Sequence, residues 1–126
     1  ICSVIEETSV HFCQEFSLLW ETERNGVLYP QKLFEDQGQN TKLALATILS
    51  DIWRDAMSVC GIEMHRRCLS LAHNADFETI EDVSLRAKLE GRNLMMGRDL
   101  ILDANTIKGV KDLIKRAKVF NEKDLI

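Results

Sequence analysis

Apolar residues recur along the chain at intervals of three and four, the spacing that places side chains on one face of an α-helix. The first periodic run extends from Ser3 to about Arg24. Ser3 and Glu6 have the S-x-x-E spacing of a capping box, which predicts the start of this helix. The turn dipeptide Asn25-Gly26 follows, so we expect the helix to end there in a long loop.

A second and longer periodic run begins after Thr41. Gly61 lies within it and offers a point where the helix can bend. The pattern predicts that Ile52, Ala56 and Leu71 are buried together. The apolar arc of this helix comprises Leu45, Leu49, Ile52, Ala56, Cys60, Met64 and Leu71.

Two further periodic runs follow. Asp82 is the expected N-cap of a third helix that continues through Leu100, and Thr106 is the expected cap of a last short helix. No window alternates apolar and polar residues between hairpin turns, so the sequence predicts no strand. We therefore predict an all-α fold of about four helices, forming a single helical domain over residues 1–126.

Charge and hydropathy narrow the class of protein. The 16 Lys+Arg and 20 Asp+Glu residues give a net charge of -4 and are interspersed, which is not typical of a nucleic-acid-binding protein. Apolar stretches fall far short of the roughly 20 residues that cross a bilayer, so we expect no membrane partner. The chain begins with neither an initiator Met nor a signal-like segment. We therefore expect a cytoplasmic protein that is part of a longer one.

The four cysteines, Cys2, Cys13, Cys60 and Cys68, show no C-x-x-C spacing. In amphipathic helices a free thiol behaves as a small hydrophobic group, so we interpret them as reduced. An even cysteine count in a small helical chain leaves one alternative open. It is a secreted, disulfide-bonded helical bundle of the cytokine type.

Two adjacent arginines, Arg66 and Arg67, stand in the most apolar helix. At about 100° per residue, Arg67 falls inside the apolar arc and Arg66 at its edge. An arginine that faces a core needs a carboxylate, backbone carbonyls or a polar ligand. The structural interpretation pairs Arg67 with Glu63, one turn earlier. The functional interpretation is that both arginines present donors to a substrate in a cleft formed with another domain.

No metal site is predicted. Asp76-Phe77-Glu78 is expected in a polar loop between helices, where Asp76 or Thr79 caps a turn. The six glycines form no phosphate-binding loop, so this chain alone is not expected to bind ATP. His65, Cys68 and His73 have no ligand spacing that suggests a metal site. Glu7, His11 and Glu15 share one helix face at i, i+4 spacing, which could chelate a metal, but a solvated polar face is the expected interpretation.

The block from Ile52 to Phe77 resembles the C-terminal signature of 5-methylthioribose kinases. The resemblance rests on Glu63-Met64-His65-Arg66-Arg67 and on the Leu71-Ala72-His73 stretch that leads to Asp76. Leu28-Tyr29-Pro30 and Ile80-Glu81-Asp82 agree with the family in the same order. The sequence departs from the family pattern at His65, where an aliphatic residue is usual, and at Ser70, where glycine is usual.

The resemblance implies a protein-kinase-like parent, of which this chain is the C-terminal helical subdomain without the N-lobe and catalytic loop. It further implies that the full-length parent uses ATP and Mg²⁺ to phosphorylate the 1-hydroxyl of methylthioribose in methionine salvage. Arg66 and Arg67 then bind the substrate, and this chain alone is inactive. A homodimer through an exposed apolar patch is a further expectation. A second alternative is a free-standing helical interaction module derived from such a kinase.

Overall fold

The computed structural model describes residues 1–27, 29–32, 41–69 and 75–122. Their regular secondary structure is entirely helical, with no strand in these ranges, so the all-α prediction is confirmed. The four predicted helices are present, with one additional short helix. The helices are α1 (Cys2–Thr22), α2 (Thr41–Leu69), α3 (Ala75–Glu78), α4 (Val83–Leu102) and α5 (Val110–Glu122).

The chain groups into two compact units, Ile1–Ile52 and Trp53–Ile126. The division falls within α2, whose first turns belong to the first unit and whose remainder belongs to the second. A single domain over residues 1–126 stays a prediction. Part of the predicted loop after α1, at Leu28 and 33–40, lies outside the described residues.

The helix starts agree only in part with the predicted caps. At α4, the Asp82 carboxylate accepts hydrogen bonds from the backbone N–H groups of Ser84 and Leu85 at 2.9 and 3.0 Å, as predicted. At α1, the residue that precedes the first turn is Ile1, with no side-chain cap. The predicted capping box of Ser3 and Glu6 is therefore wrong, because both residues lie inside the helix.

The predicted cap of the last helix is also wrong. Helix α5 begins at Val110 rather than after Thr106. Gly109 has φ 146°, a conformation that side-chain-bearing residues rarely adopt, and it turns the chain into the helix. The Thr106 hydroxyl instead donates to the carbonyl of Asp103 at 2.9 Å and accepts a bond from Arg116 at 3.0 Å.

The core of the second unit lies between α2, α4 and the turn that precedes α5. Leu100 and Ile107 are almost fully buried in it. The indole Nε1 of Trp53 donates to the carbonyl of Ile107 at 2.8 Å, which ties α2 to that turn. The buried cluster comprises Met57, Leu100, Ala104, Ile107 and Leu113, with Trp53, Met64 and Met96 packed against it.

The buried face of α2 differs from the predicted apolar arc. Its buried residues are Met57 and Gly61, whereas Ala56 is exposed and Ile52 is half-buried. Leu71 lies outside the described residues. The prediction that Ile52 and Ala56 are buried together is therefore wrong. The predicted apolar arc was misplaced because the buried face of α2 is centred on Gly61, which has no side chain to count.

Two glycines, Gly61 on α2 and Gly97 on α4, allow the backbones of these helices to approach closely. A Cβ added at Gly61 would collide with the carbonyl oxygen of Gly97 and lie 2.7 Å from Cγ1 of Ile101. A Cβ added at Gly97 would lie 2.9 Å from the carbonyl oxygen of Gly61 and 2.8 Å from Nδ1 of His65. Helix α2 runs unbroken through Gly61, which therefore serves this contact.

A half-buried arginine on α5, Arg116, ties that helix to the end of α4. Its Nη1 donates to carboxylate oxygens of Asp99 at 2.8 Å and Asp103 at 2.9 Å. The hydrogen bonds to Asp103 and Asp99 raise the pKa of Arg116 above its usual value. The second unit thus combines an apolar core with ion pairs between α5 and the end of α4.

The first unit buries much less. Among its described residues only Trp20 is buried, with the ring of Tyr29 at 5.4 Å and the guanidinium of Arg24 over it at 4.8 Å. Within the described part of the chain, the buried Nε1 of Trp20 has no hydrogen-bond partner. Much of the apolar surface of α1 stays exposed, including Phe12 and Leu19. The expected homodimer stays a prediction.

Candidate substrate-binding site at the end of helix α2

The last turns of α2 are held against α4 by polar contacts. The side-chain amide of Asn93 donates to the carbonyl of Met64 at 2.7 Å and lies 3.1 Å from Sγ of Cys68. Nδ1 of His65 lies 2.8 Å from the carbonyl oxygen of Gly61. Because a carbonyl only accepts, this contact requires the proton on Nδ1. Together with the glycine contact, these bonds fix the orientation of the residues that follow.

Arg66 and Arg67 point away from this contact. At about 100° per residue they lie roughly 140° and 120° around the helix from Gly61. Both are half-exposed, with side-chain exposures of 49% and 45%. The prediction that Arg67 faces the core is therefore wrong, because the buried face of α2 is centred on Gly61 rather than on the predicted arc.

Arg66 pairs with Glu63 on the same helix. Its Nη2 donates to Oε2 of Glu63 at 2.7 Å, and its Nε lies 2.9 and 3.1 Å from the two carboxylate oxygens. These hydrogen bonds lower the pKa of Glu63 and raise the pKa of Arg66. The predicted partner of Glu63 was Arg67, and that pairing is wrong.

Arg67 pairs instead with Asp76 on α3, through a bond of 2.5 Å from Nη1 to Oδ2. The sequence missed this contact, because the two residues lie nine positions apart across a segment to which helix spacing does not apply. Asp76 was expected in a polar loop, where it or Thr79 would cap a turn. The expectation of a loop is wrong, since Asp76 lies in helix α3. The Thr79 hydroxyl does cap this short helix, donating to the carbonyl of Ala75 at 3.0 Å.

Asp76 also lines a shallow cavity of about 260 Å³ in the second unit. Its apolar side is made of residues from α2 to α5, and Arg92 and Asn93 add polar groups. Arg67 is linked to this surface through its bond to Asp76, and its guanidinium group is a charged, directional donor for phosphate or hydroxyl oxygens. The apolar lining comprises Met64, Phe77, Ile80, Leu89, Met96, Ala117 and Phe120.

In the ranges that the structure describes, no three His, Cys, Asp or Glu side chains are grouped as metal ligands. Glu7, His11 and Glu15 are exposed on α1, and His73 lies outside those ranges. All four cysteines are free thiols. None of the described helices combines the length and hydropathy needed to cross a membrane.

Curated proteins of known name resemble this chain. The chain is 37% identical to a methylthioribose kinase of Yersinia enterocolitica over 109 residues, which cover 83% of this chain and 27% of that protein. It is 31% identical to a methylthioribose kinase of Escherichia coli over 116 residues, covering 92% of this chain and 27% of that protein. The chain is similar to methylthioribose kinases over most of its own length. A relative from Citrobacter koseri, also named methylthioribose kinase, is 33% identical over 105 residues.

The predicted resemblance to methylthioribose kinases is thereby confirmed. The chain spans about a quarter of the length of the curated methylthioribose kinases that it matches, 27% of the first two and 26% of the third. No family model matches the chain. No solved structure matches it significantly. The assignment of Arg66 and Arg67 to substrate binding stays a prediction.

Proposed function

We propose that this chain is the substrate-lobe portion of a cytoplasmic 5-methylthioribose kinase, which transfers a phosphoryl group from ATP to the 1-hydroxyl of methylthioribose in methionine salvage. In this proposal Arg66 and Arg67 bind the substrate. The observation that carries it is their placement at one helix end, half-exposed, each held by a single carboxylate. The names of the relatives support the reaction class.

Phosphoryl transfer is catalysed mainly by positioning the reactants and by neutralising charge on the transferring oxygens. An arginine is suited to both tasks because its planar fork donates in fixed directions and keeps its charge. The glycines of this chain form no phosphate-binding loop. The proposal therefore assigns the binding of ATP and Mg²⁺ to parts of the kinase outside this chain.

Replacing each arginine by lysine in the full-length kinase tests the proposal. Lysine keeps the charge but loses the fork, so kcat/KM for methylthioribose should fall at least about tenfold in one or both variants. Thermal melts should change little because both side chains are half-exposed. Near-parental kcat and KM in both variants would assign the arginines to the scaffold and contradict the proposal.

The proposal also states that the 126-residue chain alone is inactive. Calorimetry with ATP and Mg²⁺ should detect no binding at micromolar concentrations, and an assay with methylthioribose should detect no product. Magnesium-dependent nucleotide binding at micromolar affinity would show that a nucleotide site exists within this chain. A titration of the full-length kinase under the same conditions is the positive control.

A further inference from the structure

The two arginines differ in how many nitrogens of the guanidinium group already donate hydrogen bonds. Arg66 directs Nε and Nη2 at the carboxylate of Glu63, so the edge that carries these two nitrogens is occupied. Arg67 is bound to Asp76 through Nη1 alone. Within the described part of the chain, the Nε and Nη2 edge of Arg67 therefore carries no bond.

This difference bears on recognition of a substrate. Arginine binds carboxylates, phosphates and neighbouring oxygens most directionally when two parallel N–H groups act together. Arg66 would have to break its bonds to Glu63 to offer its Nε edge. Arg67 can offer that edge while Nη1 stays bound to Asp76, which also restricts the rotation of the guanidinium group.

The turns of α2 beneath Arg67 are held against α4. The Asn93 amide and the contact between Gly61 and Gly97 hold the last turns of that helix on α4. Asp76 lines the cavity beside these turns, with Met64 and Asn93. A bond from Asp76 thus aims a half-exposed side chain that is anchored at its base.

From these contacts we infer that Arg67 is the arginine that engages oxygen atoms of the sugar substrate and that Asp76 is its positioning residue. Arg66 is held by Glu63 and contributes mainly charge. The inference rests on the proposed function, since it divides the roles of the two arginines within the same site. The interaction is an exposed ion pair, and such pairs contribute little to stability, so its loss should leave the fold intact.

Replacement of Asp76 in the full-length kinase tests the positioning role. Asp76→Asn keeps the shape but removes the charge, and the KM for methylthioribose should rise at least about threefold, a size typical of coupling within one network. The KM for ATP and the melting temperature should stay unchanged. Asp76→Glu should restore much of the affinity for methylthioribose, because it restores the carboxylate. A merely structural role would not change one KM alone.

Glu90→Gln is the control, because Glu90 also pairs with an arginine, Arg86, at 2.8 Å, and this pair is less exposed than the pair of Arg67 and Asp76. It should change neither KM. In an Arg67→Lys background, Asp76→Asn should have little further effect, because the group that Asp76 orients is gone.

The possible results separate the inference from the proposed function. If Asp76→Asn matches the Glu90 control, or adds its full effect to Arg67→Lys, the positioning role is wrong whatever the lysine variants show. If Arg66→Lys costs more than Arg67→Lys, the division of roles is wrong although the proposed function stands. If neither lysine variant alters the kinetics, the proposed function itself fails.

Discussion

Helices α1 and α4 both carry recurring apolar residues but have different surroundings. Helix α4 belongs to the second unit and buries Leu100 completely, whereas Leu19 on α1, in the first unit, stays 53% exposed. Neighbouring apolar residues of α1 are exposed as well, among them Phe12 at 45%. The same kind of sequence pattern therefore ends in a core in one region and on the surface in the other.

Periodicity specifies a helix and its apolar face, but not whether that face is covered. Burial requires a second surface at van der Waals distance. Helix α4 obtains one because Gly61 and Gly97 remove the side chains that would hold it away from α2. The described residues of the first unit supply only the small cluster of Trp20, Tyr29 and Arg24.

The largest expected effect tests this contrast directly. Leu100→Ala should lower the free energy of unfolding by about 2–5 kcal/mol, because it leaves a cavity in a packed core. Leu19→Ala should change it by less than about 0.5 kcal/mol, since the side chain is already half in water. Urea denaturation can be followed in each unit with single-tryptophan variants, because Trp20 lies in the first unit and Trp53 in the second. Equal costs for the two substitutions would break the comparison.

Alanine substitutions at two glycines of α4 should have smaller effects on stability, of opposite sign, and they test the contact between α2 and α4. Gly97→Ala should destabilise the chain by about 1–3 kcal/mol, because the new methyl group meets backbone and His65. Gly91→Ala should stabilise it by about 0.5–1 kcal/mol, because nothing lies within 4 Å and alanine favours the helix. Thermal and urea denaturation of both variants measure this. A stabilising Gly97→Ala would show that α2 and α4 do not need the close approach.

The smallest effect concerns the surface of the second unit. The hydrogen bond from Arg66 holds the pKa of Glu63 below its ordinary value of 4.5. A lowered carboxyl pKa contributes stability that is complete above pH 4.5 and disappears as the pH falls through the lowered value. Because both groups are largely exposed, this contribution should be far smaller than that of Leu100. This contribution to the pH dependence of stability should vanish in Glu63→Gln.

Carbon-detected NMR titration of the Glu63 carboxyl group measures its pKa directly. In Arg66→Met the pKa should return to the ordinary range, because the donor and the neighbouring charge are both removed. An unchanged pKa in that variant would assign the shift to another group.

The candidate site illustrates where prediction from sequence succeeds and where it stops. The Arg66-Arg67 pair and its family resemblance are visible in the sequence because they are contiguous. The partners of the two arginines are not visible in the sequence. Helix spacing allows Glu63 to reach either arginine, and Asp76 comes close to Arg67 only because of how the chain folds between them. Asn93 and Gly97 escaped notice because a single amide and a glycine carry no periodic signal.

The sequence alone was sufficient to predict the all-α class, the approximate extent of four helices, the Asp82 cap and the resemblance to methylthioribose kinases. These depend on local spacing or on contiguous residues, so they can be identified without knowing which helices touch. Only the tertiary structure decided which face of α2 is buried, that Arg67 points outward, and which carboxylate holds each arginine. Those outcomes depend on where two helix backbones can approach each other. Here the approach is possible because Gly61 and Gly97 have no side chains. A count of hydrophobic residues does not detect such positions.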